Sequence, residues 1–134
     1  MRRLIGVTAV LLLLAGCGGS DDALTTSELD GNSYTSTEVT GHDLVEGTTV
    51  DLSFEDGHLA VAAGCNTMTA AYDVEDDMIA WTSEPAATMM ACSDELTAQD
   101  SWLSALFVDG VPATLDGDTL TLKNGDVEMV LEAK

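Results

Sequence analysis

The sequence predicts a mainly β domain of the α+β class, a small antiparallel sheet of about eight strands, curved or barrel-like, with one helix covering an opening. Three observations indicate this fold. Short segments alternate apolar and polar residues, two-residue turn sequences separate them, and a single helical pattern interrupts the strands. Strands and helices do not alternate along the chain, which argues against a parallel sheet of the Rossmann type.

The clearest strand is residues 50–55, in which Val50, Leu52 and Phe54 point to one face and polar residues to the other. Asp56-Gly57 then supplies a hairpin turn, because glycine accepts the positive φ that such turns require. Further strands are predicted at residues 33–39, 59–63, 71–74, 78–82, 113–115, 119–123 and 127–131, and residues 86–90 are predicted to be extended.

One helix is predicted between the two groups of strands. Ser93 can cap its N-terminus, and Asp94 and Glu95 lie in the first turn, where carboxylates favour the positive end of the helix dipole. Gly110 and Pro112 end it. Its apolar face comprises Leu96, Trp102, Leu103, Leu106 and Phe107, and this face should cover the open end of the sheet.

The N-terminus predicts export and a lipid anchor. Arg2-Arg3 and the short apolar run after them are typical of a secretory signal, and the run is too short to span a bilayer comfortably. Leu14-Ala15-Gly16-Cys17 resembles the lipobox of bacterial lipoproteins. We therefore predict a lipoprotein signal peptide at 1–16, an acylated, for example palmitoylated, Cys17, a flexible linker over 17–28, and a domain over 29–134. The predicted location is the cell membrane, with the anchor as the membrane contact.

The composition is strongly acidic. The chain holds 24 acidic and four basic residues, and loss of the leader leaves only Lys123 and Lys134 on the basic side. Such a surface repels nucleic acid, so no nucleic-acid partner is predicted. A solvated surface explains the acidity more simply than cation binding, because the acidic residues are spread along the whole chain.

Two cysteines remain once Cys17 is set aside as the acylation site. Export makes a disulfide permissible, and the predicted hairpin between Cys65 and Cys92 can bring their strands side by side. Closing this loop should contribute on the order of 3 kcal/mol to stability in the chain-entropy model. We predict that the bond is structural.

Two short motifs in order identify a family resemblance. Gly64-Cys65-Asn66, Tyr72, and Thr88-Met89-Met90-Ala91-Cys92, followed by a helix and Leu120-Thr121-Leu122, resemble the META domain of HslJ-type heat-shock lipoproteins. The family motif residues are Gly64, Cys65, Asn66, Tyr72, Thr88, Met90, Ala91 and Cys92. Tyr34 stands where that family usually has a tryptophan. The resemblance implies a β-barrel-like fold with a helix across it, export, and a link to envelope stress or antibiotic resistance, with no known reaction or cofactor.

For several residues a chemical role competes with a structural one. A cysteine nucleophile with His42 or His58 as base is less expected than a disulfide. The same histidines with carboxylates lack zinc or EF-hand spacing. Copper bound by Met68, Met89, Met90 and reduced cysteines is less expected than the use of methionine as core filler. The aromatic residues Tyr72, Trp81 and Trp102 could line a pocket but are expected in the core. No catalytic residue, metal ligand or cofactor is therefore predicted.

The predicted function is that of a lipid-anchored, non-enzymatic envelope domain that supports envelope integrity or stress and antibiotic tolerance by binding an envelope protein or small molecule. The alternatives are a small-molecule carrier with a barrel pocket and, with less support, a metal-binding lipoprotein.

Overall fold

Eight antiparallel strands close into a barrel in the computed structural model, which describes residues 23–134. The strands are β1 (Ser33–Thr40), β2 (Asp51–Glu55), β3 (His58–Ala62), β4 (Thr67–Glu75), β5 (Met78–Trp81), β6 (Ala86–Ala87), β7 (Val111–Asp116), β8 (Thr119–Asn124) and β9 (Val127–Ala133), and the helices are α1 (Thr26–Leu29) and α2 (Asp94–Asp109). The prediction of a small antiparallel, barrel-like sheet with a covering helix is confirmed.

The barrel closes because β1 pairs with β9, which brings the first and last described strands together. The strand order is β3-β2-β1-β9-β8-β7-β5-β4, and β4 pairs back to β3. The first half of β4 pairs with β3, from Thr67 to Ala71, and its second half pairs with β5, from Tyr72 to Glu75. The additional strand outside the barrel is β6, which pairs with β4 at Met68 and Thr69. It is shorter than the extended segment predicted at 86–90.

Tight turns connect the hairpins, as the turn sequences predict. Asp56 and Gly57 both have positive φ, at 51° and 76°. The β4–β5 turn uses Asp76 and Asp77, at 51° and 60°, although neither is glycine. Aspartate tolerates this left-handed conformation better than most residues. The Asp77 carboxylate also accepts a hydrogen bond from the backbone N–H of Leu24, at 2.8 Å.

The interior of the barrel is packed with side chains. Buried positions alternate with partly or fully exposed ones along the barrel strands, as in β4, where Met68, Ala70 and Tyr72 are buried. The largest fully buried side chains are Tyr34, Phe54, Phe107, Leu29, Leu52, Leu59, Ile79, Leu103, Leu120, Leu122, Met129 and Leu131. This filled core does not favour the alternative of a carrier with a ligand pocket inside the barrel.

Helix α2 covers one end of the barrel and packs mainly on β5. Phe107 lies against Trp81 with ring centroids 5.6 Å apart. Ser93 caps the helix, since its hydroxyl accepts a hydrogen bond from the N–H of Leu96, at 3.3 Å. Gly110 ends the helix at a φ of 91°, beside the side chain of Met78.

The packed domain begins before the predicted boundary at residue 29. Leu24 is buried in the core, and the short helix α1 begins within the segment predicted to be a flexible linker. The sequence does not predict α1, because a helix of four residues shows no apolar periodicity. Burial of Leu24 and Leu29 in the core holds this segment in place. Cys17 and the predicted signal peptide lie outside the described residues.

Candidate functional site

The two motifs meet at one end of the barrel, where a disulfide joins them. Cys65 lies in the loop between β3 and β4, and Cys92 lies just before α2. Their Cα atoms are 6.2 Å apart, within the range of about 4.4–6.8 Å that a disulfide requires. The predicted Cys65–Cys92 bond is therefore present. A disulfide-bonded cysteine is not a nucleophile, so the cysteine–histidine alternative finds no support here.

Asn66 organises the segment that follows β6. Its side-chain oxygen accepts hydrogen bonds from the N–H of Met90, at 2.8 Å, and from the hydroxyl of Thr88, at 3.0 Å. The Thr88 hydroxyl in turn accepts from the N–H of Thr67, at 3.0 Å. These partners lie 22 and 24 residues away from Asn66 in the sequence, so its side chain connects segments that are distant along the chain.

Gly64 is required at its position by backbone and by space. Its φ is 95°, a conformation that L side chains rarely adopt. A Cβ atom there would also approach the Cγ2 of Thr48 to 2.7 Å. The glycine of the motif thus allows the loop of Cys65 to pass closely over the loop before β2.

Two buried polar residues of α2 form hydrogen bonds to the loop before β2 and to the loop between β3 and β4. Gln99, 3% exposed, donates from Nε2 to the carbonyl of Ala63 at 2.9 Å and to the hydroxyl of Thr48 at 3.0 Å. Its Oε1 accepts from the N–H of Val45, at 2.7 Å. These three bonds fasten the helix to the strand end and to the loop before β2.

Asp100 is the second of these residues and is 7% exposed. Its Oδ2 accepts a hydrogen bond from the N–H of Asn66, at 3.2 Å, whereas its buried Oδ1 has no partner within residues 23–134. Sequence reasoning missed both residues. The available signal was their position, because Gln99 and Asp100 interrupt the apolar stripe between Leu96 and Leu103.

The segment that the disulfide and Asn66 hold displays two methionines. Met89 is 95% exposed and Met90 is 62% exposed. With Val108, at 55%, they are the exposed large hydrophobic residues of the described chain. Met68, by contrast, is buried in the core, so the three methionines weighed as copper ligands do not share one environment.

Ala91 is exposed, between Met90 and Cys92. Tyr72, by contrast, lies on β4, away from the disulfide. Its hydroxyl donates to the carboxylate of Asp30 at 3.2 Å, and its ring packs edge-on against Phe54. Burial raises the pKa of the Tyr72 phenol, and the hydrogen bond to Asp30 raises it further. This residue therefore connects β4 to the region of α1 and does not contribute to the disulfide site.

The histidines occupy separate places. His42 stacks on Trp102 with ring centroids 3.6 Å apart, and the Nδ1 of His58 is 3.0 Å from the carbonyl oxygen of Asp56 in the β2–β3 turn. In the described part of the chain, no group of three or more His, Cys, Asp and Glu side chains is arranged to hold a metal ion. Trp81 is a core residue whose indole N–H donates to the carbonyl of Leu59.

The surface is acidic, and both lysines form ion pairs with carboxylates. Lys123 pairs with Glu128 at 3.7 Å, and Lys134 pairs with Asp51 at 3.1 Å. Both pairs are exposed and contribute little to stability. Among residues 23–134, no helix has the length and apolar character needed to cross a membrane.

These features define a class of protein, a small β-barrel domain with a helix across one end and a disulfide that fixes the loops beneath that helix. The chain belongs to the META domain family, whose model matches residues 27–134. The resemblance drawn from Gly64-Cys65-Asn66 and Thr88-Met89-Met90-Ala91-Cys92 is confirmed at the level of this family, of which HslJ-type proteins are the usual context.

Two solved structures share the fold. An NMR structure of a protein is 18% identical with a TM-score of 0.63, and the match covers 81% of this chain and 94% of that one. An NMR structure of a protein from Burkholderia xenovorans is 18% identical with a TM-score of 0.62, covering 81% and 86%. At this identity the likeness shows the fold alone. A search of curated proteins finds no match.

Proposed function

We propose that the mature protein is an exported, lipid-anchored, non-enzymatic domain that supports envelope integrity or tolerance of stress and antibiotics by binding a partner protein. The observation that carries the binding role is the display of Met89 and Met90. Both side chains face solvent, while the backbone around them is held by the disulfide and by Asn66.

Such a display favours recognition of a partner. Exposing large apolar side chains to water is unfavourable, and clustered exposure on a soluble domain is typical of an interaction surface. Methionine is also enriched at protein interfaces, because its unbranched, polarizable side chain adapts to different partners. A fixed backbone reduces the entropy lost on binding.

The anchor is supported by the sequence. Leu14-Ala15-Gly16-Cys17 follows a basic and apolar leader, and a polar stretch separates it from the domain. The acidic domain itself is repelled by anionic headgroups, so attachment depends on the acyl chains. We expect Cys17→Ala to release the protein from the membrane fraction, and intact mass to show acylation in the wild type only. Membrane retention of an acylated Cys17→Ala protein would contradict this proposal.

Crosslinking in intact cells followed by pull-down tests the binding role. We expect a saturable crosslinked partner with the wild type, and strong loss of that partner with Met89→Ser/Met90→Ser. The control is Val130→Ser, which removes a partly exposed apolar side chain from β9. Equal recovery of the partner by the wild type and the double variant would refute the role of the methionines.

A further inference from the structure

A surface groove runs between α2 and the β4–β6 pair, next to the segment that carries Met89 and Met90. Its volume is about 510 Å³, inside the range of roughly 300–1,000 Å³ typical of ligand clefts. One wall contains Met68 and Ala87 of the sheet, and the other contains Ala105 and Val108 of the helix. Asn66 lies at the rim, where it binds the backbone of Met90.

The strand that borders this groove has an unpaired edge. β6 pairs with β4 through Ala86 and Ala87, and within residues 23–134 no other strand pairs with it. A free strand edge offers backbone N–H and C=O groups to an added strand. Ala87 lies opposite Met68 in register and lines the groove with it. Every second side chain of an added strand would therefore face the groove.

The charge of the groove selects a positively charged occupant. Asp109 lies near the C-terminal end of α2, and Asp100 is also among the residues that line the groove. The Oδ1 of Asp100 is buried behind this lining and has no hydrogen-bond partner in the described chain. A carboxylate shielded from water exerts a stronger field than an exposed one. The two lysines of the domain are in ion pairs with Asp51 and Glu128, so they do not offset this field.

We propose that the groove and the outer edge of β6 bind an extended segment of a partner protein in which apolar residues alternate with lysine or arginine. This inference rests on the proposed partner-binding function and names the chemistry of the partner. The backbone of the segment pairs with β6, its apolar side chains pack on Val108 and Met90, and its cationic groups lie near Asp100 and Asp109.

An NMR titration of the purified domain with a synthetic peptide of alternating valine and lysine tests the proposal. We expect the amide signals of Ala86, Ala87 and the groove-lining residues of α2 to shift. A peptide with glutamate in place of lysine should not bind. The N–H groups of alternate residues in a strand point to the same edge, so only the valines or only the lysines of the peptide can donate to β6. N-methylation of that one set should weaken binding by about tenfold or more, and N-methylation of the other set should not.

Matched variants separate the groove from general attraction to an acidic protein. Ala105→Arg places a long cationic side chain in the groove, whereas Ala133→Arg makes the same exposed substitution on β9. We expect about a tenfold loss of affinity for the first variant and less than about twofold for the second. Val108→Ser, a milder change, should weaken binding severalfold, and thermal melts verify that each variant is folded.

Equal weakening by the two arginine variants, or binding unaffected by both N-methylated peptides, would overturn the proposal. Failure of this binding site can be distinguished from failure of the proposed partner-binding function. A cellular partner whose crosslinks map away from the groove preserves that function but rejects this site. Specific peptide binding in the groove without any cellular partner does the reverse.

Discussion

Replacement of Gln99 by methionine should destabilise the domain more than any change at an exposed position of α2. Methionine keeps the length and approximate volume of the side chain but removes its hydrogen bonds to Val45, Thr48 and Ala63. A typical hydrogen bond contributes about 0.5–1.5 kcal/mol net, so three give roughly 3 kcal/mol. The loss should lie at or above this value, because the carbonyl of Ala63 is left unpaired beside a buried side chain.

Urea denaturation measures this change. We expect the midpoint of Gln99→Met to fall with an unchanged m-value, since the surface exposed on unfolding stays the same. Thr97→Met is the control, because Thr97 is exposed on the same helix and should change the free energy of unfolding by less than about 0.5 kcal/mol. A cost below about 1 kcal/mol for Gln99→Met would refute the idea that this side chain fastens the helix.

The remaining predictions concern the disulfide, the tyrosines and the acidic surface. Replacing Cys65 and Cys92, which are 27 residues apart, by alanine should lower the free energy of unfolding by about 2–4 kcal/mol in a denaturant titration; two reactive thiols in the unreduced wild type would reject the bond. Burial raises the pKa values of Tyr34 and Tyr72, so the folded state holds their protons more tightly, and stability should be full below about pH 10 and fall above it. Tyr34→Phe/Tyr72→Phe should flatten this decline in thermal melts, and an equally steep decline would contradict the assignment. Calcium should change the melting temperature only as much as sodium at matched ionic strength, and a calcium-selective rise would reveal a specific site.

Much of the fold was predictable because its determinants are local. The alternation of Val50, Leu52 and Phe54 and the turn at Asp56-Gly57 define a hairpin without reference to the rest of the chain. The start of α2 was predictable for the same reason, because the Ser93 hydroxyl accepts a hydrogen bond from the N–H of nearby Leu96. The disulfide followed from the count of cysteines and the expectation of export.

The missed features depend on contacts between distant segments. Helix α1 exists because Leu24 and Leu29 reach the core, which four residues of sequence cannot show. Gln99 and Asp100 look like ordinary polar residues until the loops of Val45 and Asn66 are brought against them. The groove beside β6 likewise arises from how α2 crosses the sheet, and no sequence pattern encodes that angle.

The backbone dynamics of residues 86–92 test most directly the claim that this segment is held rigid to display Met89 and Met90. We expect ¹⁵N order parameters near those of the barrel strands, about 0.85, in the oxidised protein. We also expect a clear decrease in Cys65→Ser/Cys92→Ser and a smaller one in Asn66→Ala, which removes the acceptor for Met90. Order parameters below about 0.6 at both methionines in the oxidised wild type would contradict it.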